Sequence, residues 1–234
     1  LGLGFGYAAR VSGHAWVTDP GAYITALAEY AGGLGVQHKR IAAETFELSE
    51  ERVIGVRTEQ GILECDEVVL TAGVWSARLL ASLGVRVPLE SERGYHLELV
   101  HAEGGPSIPM ALAAYKFIAT PMEGRLRLAG IVEFGGLDAP ASEAPYRLLE
   151  RQARAAFPSL VWRSQKRWLG HRPATPDSIP VIGAIPGLEG LHVGFGHQHV
   201  GLTGGPKTGR ILANLVSGRL PNFDLRPYDI NRFD

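Results

Sequence analysis

The sequence holds a single cysteine, Cys65, among 234 residues. That excludes an internal disulfide and any cysteine-built metal cluster. Cys65 stands at the entry to the apolar run Val68-Val69-Leu70 and reads as a buried bystander thiol. Charge of one sign is also missing, because 23 Lys and Arg against 24 Asp and Glu leave a formal net charge of −1. A nucleic-acid or anionic-membrane partner calls for a concentrated basic face, so neither is expected. No apolar run approaches the roughly 18 residues of a membrane span and no signal-peptide pattern is visible, which makes a cytoplasmic protein the default expectation. An initiator Met is lacking too, and the abrupt apolar start at Leu1 reads as the middle of a longer protein.

Several motifs are incomplete. Gly2-Leu3-Gly4-Phe5-Gly6-Tyr7 lacks the last glycine of a dinucleotide fingerprint and follows no strand, so it reads as a loop. Gly201 to Thr208 resembles a phosphate loop but puts Pro206 where the last glycine belongs, which removes an N–H the cradle needs. A nucleotide triphosphatase is rejected on that ground. The absence of a Gly-x-Ser-x-Gly elbow and of a convincing Ser/His/Asp constellation leaves a hydrolase unsupported.

What is present is the composition of a globular protein, 45% hydrophobic and 20% charged, long enough for one large or two modest cores. Thr18-Asp19-Pro20 predicts a helix start, and Tyr23, Leu27, Tyr30 and Ala31 recur at helical spacing to about residue 32. Strand-like alternation follows over Val36–His38, Ile41–Leu48, Val53–Thr58 and Ile62–Cys65. Val68 to Thr71 is a short buried strand running into Ala72-Gly73, with a helix from Trp75 to Leu83. Strand, glycine turn and helix in that order is the local geometry of a nucleotide-binding α/β layer. Alternation resumes at Val85–Leu89, Tyr95–Val100, Met110–Thr120 and Arg125–Glu133, which predicts a mainly antiparallel sheet crossed by a helix at about 141–156. The expected class is α/β with an α+β substrate part, divided as 1–84, 85–168 and 169–234.

The chemistry concentrates late in the chain. Gly170-His171-Arg172-Pro173-Ala174-Thr175-Pro176-Asp177 presents an arginine held by prolines and an Asp turn. A short strand, Leu191 to Phe195, then meets a glycine-rich turn, Gly196-His197-Gln198-His199-Val200-Gly201, opening a helix at about Leu202. A helix start approached through glycines directs unpaired N–H groups at negative charge or an electron-rich carbonyl. A nearby guanidinium supplies a fork for a carboxylate. His192, His197 and His199 raise the question of a metal, but no carboxylate lies between them and the glycines favour a turn, so none is expected.

These residues resemble the FAD-dependent D-amino-acid dehydrogenase and glycine oxidase family. The likeness rests on Gly170 to Gly183, the Gly196 to Thr203 turn and Leu212 to Gly218. It extends to Thr71-Ala72-Gly73-Val74-Trp75-Ser76, to Pro88 with Arg93-Gly94-Tyr95, and to Arg125 to Gly130 with Glu133. The resemblance implies that Arg172 grips a substrate carboxylate and that Tyr95 lies over the substrate. It implies that His197, His199, Val200, Gly201, Leu202 and Thr203 line the pyrimidine side of the flavin, that Thr71, Ala72 and Gly73 approach the adenosine diphosphate half, and that Gly196 and Trp75 also contact the cofactor. The activity implied is hydride transfer from the Cα of a small amino acid to flavin N5, giving an imino acid, a step that needs positioning and charge stabilisation more than an acid or base. The family's opening strand, Gly-x-Gly-x-x-Gly turn and helix are not in this sequence. A further chain or segment supplying that dinucleotide-binding unit is therefore an expected partner. The competing expectation is a non-catalytic fragment or subunit that holds an amino acid or a partner chain without FAD.

Overall fold

The computed structural model describes residues 6–233, so Gly2 to Phe5 of the glycine-rich start lie outside the described residues. Helix α1 (Pro20–Gly33) begins where the Asp19 carboxylate accepts from the Ala22 amide at 3.0 Å, with Pro20 in an early helical position. Strands β1 (Ala43–Ser49), β2 (Arg52–Thr58) and β3 (Gly61–Glu64) form an antiparallel meander. After β4 (Val68–Leu70), a 3-10 turn over Gly73–Trp75 leads into α2 (Ser76–Ala81). Then come β5 (Glu90–Val100), β6 (Met110–Leu112), β7 (Phe117–Met122), β8 (Arg125–Phe134), α3 (Glu143–Ala156) and β9 (Ser164–Ala174). The chain continues with β10 (Val181–Ala184), β11 (Leu191–Phe195) and α4 (Gly201–Val216), and two 3-10 turns occupy the tail. This is the expected mixture of α/β and antiparallel structure.

Two runs expected as strands are not strands. Val36–His38 is irregular, and so is Val85–Leu89, where Pro88 has no N–H to give a ladder and the Leu89 amide turns back to the Val87 carbonyl at 2.9 Å. The alternation there is nonetheless real, because Val85, Val87 and Leu89 all pack on a core cluster. Conversely, β9 has no alternating apolar signal, since it opens Ser164-Gln165-Lys166-Arg167. It lies at the edge of its sheet, whose order is β6-β7-β8-β5-β9, and an edge tolerates both its charges and Pro173. Cys65 is exposed, not buried as expected, because it follows β3, the outer strand of the meander. Partial burial and the neighbouring Asp66 and Glu67 push its thiol pKa up, away from reactivity.

The chain forms two compact units. One comprises the described part of Leu1–His38 with Arg93–Gly170, and the other Lys39–Glu92 with His171–Asp234. The three-segment division expected from sequence therefore differs at the start, where α1 groups with 93–170. Polar ties explain it: Trp16 Nε1 donates to the Pro121 carbonyl at 3.0 Å, the Glu123 amide donates to Thr18, and Arg125 meets Asp19 at 3.4 Å. The first unit's core joins Leu97, Leu99, Phe117 and Leu128 to the apolar stripe of α3, in which Tyr146, Leu149, Ala153 and Ala156 recur at helical spacing.

In the second unit β10, β11 and β4 form one sheet in that order, with β11 antiparallel to β10 and parallel to β4. Phe46, Leu70, Leu80, Val181, Leu191, Val193 and Phe195 close its core. Gly194 has no side chain because an added Cβ would come within 2.6 Å of Leu212 Cδ1, so α4 packs directly on β11.

Leu149 is wholly enclosed, so Leu149→Ala is expected to cost about 2–5 kcal/mol of unfolding free energy by lost burial and residual cavity. Urea unfolding followed by tryptophan fluorescence measures it. A loss below about 1 kcal/mol would mean that α3 is not packed as described.

Candidate functional site

All the expected cofactor-facing residues belong to the second unit. The parallel register pairs Val68 with Leu191 and Leu70 with Val193, so the two strands end side by side. The turns that leave them, Thr71 to Trp75 after β4 and Gly196 to Val200 after β11, therefore emerge at the same carboxyl edge. In open α/β sheets that edge is where ligands sit. Gly73 (φ 58°) and Gly196 (φ 83°) take left-handed conformations there. At Gly196 a Cβ would also press to 3.0 Å from Thr175 Cγ2.

The glycine turn is fixed from below and open above. The Gln198 amide donates to the Pro173 carbonyl at 3.2 Å, and Gln198 Nε2 donates to the Thr175 carbonyl at 3.0 Å. These two bonds tie the turn to the end of β9, beside Arg172. His197 points inward, its Nε2 2.8 Å from Thr208 Oγ1, and burial pulls its pKa down, which favours the neutral ring. His199, Val200, Leu202 and Thr203 are exposed, Val200 at 56%. Helix α4 starts at Gly201 with no side chain capping it. The Thr203 and Gly204 amides bond the Val200 carbonyl at 3.1 and 2.7 Å, which leaves those of Gly201 and Leu202 without an acceptor among the described residues. Pro206 lies inside α4, which rules out a phosphate loop at this segment.

Arg172 lies on β9 within the same unit. Its Nη1 is shielded from solvent and has no hydrogen-bond partner among the described residues. Burial pushes the guanidinium pKa down and the Glu92 charge opposes that shift. The neighbouring His171 is held by Ser91 Oγ at 2.8 Å and stands edge-on to the exposed Trp75 ring, 5.6 Å between centroids.

The three histidines weighed for a metal go to separate partners. His192 meets Glu67 at 3.0 Å, His197 meets Thr208, and His199 lies 3.5 Å from Glu92. Among the described residues no group of three ligand-type side chains could hold a metal ion. Tyr95 sits in the other unit, fully enclosed at 0% exposure. Its hydroxyl donates to Glu133 at 2.6 Å and accepts from Arg93 and from the Ser142 amide. Ser142 and Tyr95 together hold the Glu133 carboxyl below its usual range. Nothing in that enclosure leaves the Tyr95 ring a face to offer a small molecule. Glu92 and Gln198 were not anticipated from sequence, because a Glu inside a strand and a Gln in a turn carry no signal until their partners are known.

FAD can be tested against these residues on three observations: uncapped outward amides at α4, exposed side chains on the turn before it, and a left-handed Gly73 whose added Cβ would meet nothing within 4 Å. They fit the isoalloxazine and part of the adenosine diphosphate half. The described residues contain no turn of the kind that holds the pyrophosphate.

Comparison with known proteins points the same way. The family model described as DAO, FAD dependent oxidoreductase, matches residues 2–215. The chain is 39% identical over 219 residues to the D-amino-acid oxidase of Bradyrhizobium diazoefficiens, covering 92% of this chain and 52% of that protein. It is 31% identical over 231 residues to the glycine oxidase of Pseudomonas aeruginosa, covering 97% and 63%. The crystal structure of glycine oxidase from Geobacillus kaustophilus superposes with a TM-score of 0.79 at 26% identity, covering 89% of this chain and 56% of that one. The chain thus spans less than two thirds of the length of these relatives. No helix among the described residues is long and apolar enough to cross a membrane.

The Asp177 turn that follows β9 is clasped by the tail. Arg232 Nε donates to Asp177 at 2.7 Å, the Ile179 amide donates to it at 3.0 Å, and the carboxyl pKa is lowered from 3.8 to about 2. A depressed carboxyl pKa contributes stability that is present above the unfolded value and lost as pH falls through the folded one. Wild-type stability is therefore expected to fall between about pH 4 and pH 2, and Asp177→Asn should flatten that segment of the profile. Urea midpoints at pH 5 and pH 2.5 measure it, and equal slopes in the two proteins would remove the clasp.

Proposed function

The chain belongs to the FAD-dependent oxidoreductase family, and from that premise we propose that it forms the substrate-holding and flavin-facing part of an enzyme oxidising a small amino acid to the imino acid. The observation that carries this is the buried Nη1 of Arg172, which has no hydrogen-bond partner among the described residues, beside a turn that leads into a helix whose Gly201 and Leu202 amides have no acceptor among them either. An unsatisfied buried donor on a charged group is costly, on the order of 1–3 kcal/mol or more, and a carboxylate relieves it. FAD, when bound, supplies the electron acceptor for the hydride leaving the substrate Cα.

The chain's own residues have three tasks in this reading. Arg172 anchors the substrate carboxylate and so fixes where Cα stands. The outward amides of Gly201 and Leu202, with the helix dipole behind them, stabilise negative charge on the pyrimidine side of the cofactor. Thr71, Ala72 and Gly73, with the Trp75 ring at their edge, approach the adenosine diphosphate half. Val200 and Leu202 are exposed apolar side chains, and cover by a planar ring would remove them from water. The pyrophosphate would be held by a dinucleotide-binding unit outside the described residues. The outer strand β4, whose Val69 is exposed, gives such a unit an edge to pair with.

Arg172→Ala is expected to weaken binding of a carboxylate substrate about ten- to a hundredfold, from the roughly 1.5–3 kcal/mol of a hydrogen bond to a charged group. The thermal midpoint should move little, because Nη1 makes no protein hydrogen bond that the substitution breaks. Ligand titration of both proteins with added FAD, read by perturbation of the flavin band, gives the affinities. Unchanged affinity in the variant would end the assignment. A colourless protein that still binds amino acid through Arg172 would favour a binding fragment over an enzyme.

A further inference from the structure

One charged group beside Arg172 has no part in the scheme above. Glu92 lies on β5, the neighbour of β9 in the sheet, next to Ser91, whose hydroxyl bonds His171. Its side chain is 18% exposed, and Oε2 is shielded from solvent with no hydrogen-bond partner among the described residues. The His199 ring lies beside it, with Nε2 3.5 Å from Oε2, at the limit of hydrogen-bond reach and itself largely exposed. Arg172 has the opposite deficit one strand away, a shielded Nη1 with no acceptor. The Glu92 charge acts on the Arg172 guanidinium, yet no hydrogen bond joins the two, so a shielded carboxylate oxygen and a shielded guanidinium nitrogen each lack a hydrogen-bond partner within the same unit.

A ligand with only a carboxylate would satisfy Arg172 and leave Glu92 as it is, or repel it. A ligand with adjacent carboxylate and ammonium groups satisfies both. We propose that Glu92 is the specificity-determining residue for the amino group, its Oε2 accepting from the α-ammonium of a substrate whose carboxylate is held by Arg172. The substrate class is then zwitterionic amino acids, selected against 2-hydroxy acids of the same size. The selectivity comes from an anionic acceptor to which a hydroxyl offers a neutral donor, while an ammonium offers a donor of opposite charge. This rests on the carboxylate-binding role of Arg172 under Proposed function. The competing account is that Glu92 only steadies His199 and hence the turn before α4.

Calorimetric titration of the FAD-supplied protein with glycine and with glycolate at pH 7 separates these accounts. The wild-type protein is expected to prefer glycine at least tenfold. Glu92→Gln should bind glycine at least tenfold more weakly, leave glycolate within about twofold, and so lose the preference. Glu92→Asp should retain part of it, and decides the matter should Glu92→Gln not fold. His199→Gln should keep the preference intact. A Glu92→Gln or Glu92→Asp protein that discriminates as well as wild type overturns the proposal, and so does equal loss in His199→Gln. Arg172→Ala should lose both ligands. If it instead binds glycolate like wild type, or if wild type binds neither probe, the carboxylate reading itself fails and takes this inference with it. Loss of both probes in Arg172→Ala with unaltered discrimination in Glu92→Gln overturns only the ammonium assignment.

Discussion

The parallel pairing of β4 with β11 is the constraint from which the candidate site follows. Val68 to Leu70 and Leu191 to Val193 are far apart in sequence, yet their register makes them end at one edge. Each strand is buried enough to resist slippage: Leu70, Leu191 and Val193 belong to one core cluster, and a shift by one residue would turn them out of it. The glycines just past the strands then have somewhere to turn. With a different partner for β11, the same Gly196 to Val200 segment would still be a turn, but it would not share an edge with Thr71 to Gly73.

Electrostatics adds the second layer. The candidate site combines donors without a hydrogen-bond acceptor among the described residues, Arg172 Nη1 and the Gly201 and Leu202 amides, with Glu92 Oε2, which has no hydrogen-bond donor and lies 3.5 Å from the His199 ring. Elsewhere arginines with a shielded, unbonded nitrogen are ion-paired within the protein, Arg125 with Glu98 at 3.1 Å and with Asp19 at 3.4 Å. Arg93, buried in the other unit, lies 3.3 Å from Glu133, while Tyr95 and Ser142 complete the Glu133 carboxylate. The contrast singles out Arg172, because buried charge in a folded protein is ordinarily paired. It also explains why Arg93-Gly94-Tyr95 can be prominent in sequence and structural in place.

Much of the architecture was legible because local rules and tertiary packing agree. Asp19-Pro20 starts α1, the spacing of Tyr146, Leu149 and Ala153 marks the buried face of α3, and Leu191 to Phe195 is apolar enough to be read as a buried strand. Legibility failed where they disagree. Val85 to Leu89 alternates because its side chains pack, while Pro88 keeps the backbone out of a ladder. β9 is a strand despite its charges because an edge position exposes them. Cys65 looked buried from its apolar neighbours, and the outer position of β3 exposes it.

By itself the sequence determined the class of structure, the glycine turn opening α4, the fixed arginine at 172 and the family resemblance, since these depend on residue type and near neighbours: a proline's φ, a glycine's left-handed freedom, a periodicity of 2 or 3.6. Only the tertiary structure decided that α1 groups with Arg93–Gly170, that Tyr95 is enclosed, that the three histidines diverge to separate partners, and that Glu92 Oε2, like Arg172 Nη1, is shielded without a hydrogen bond. Each of those turns on which distant groups become neighbours and which are taken out of water, and solvation and pairing are properties of a place in the fold that a residue's identity does not carry.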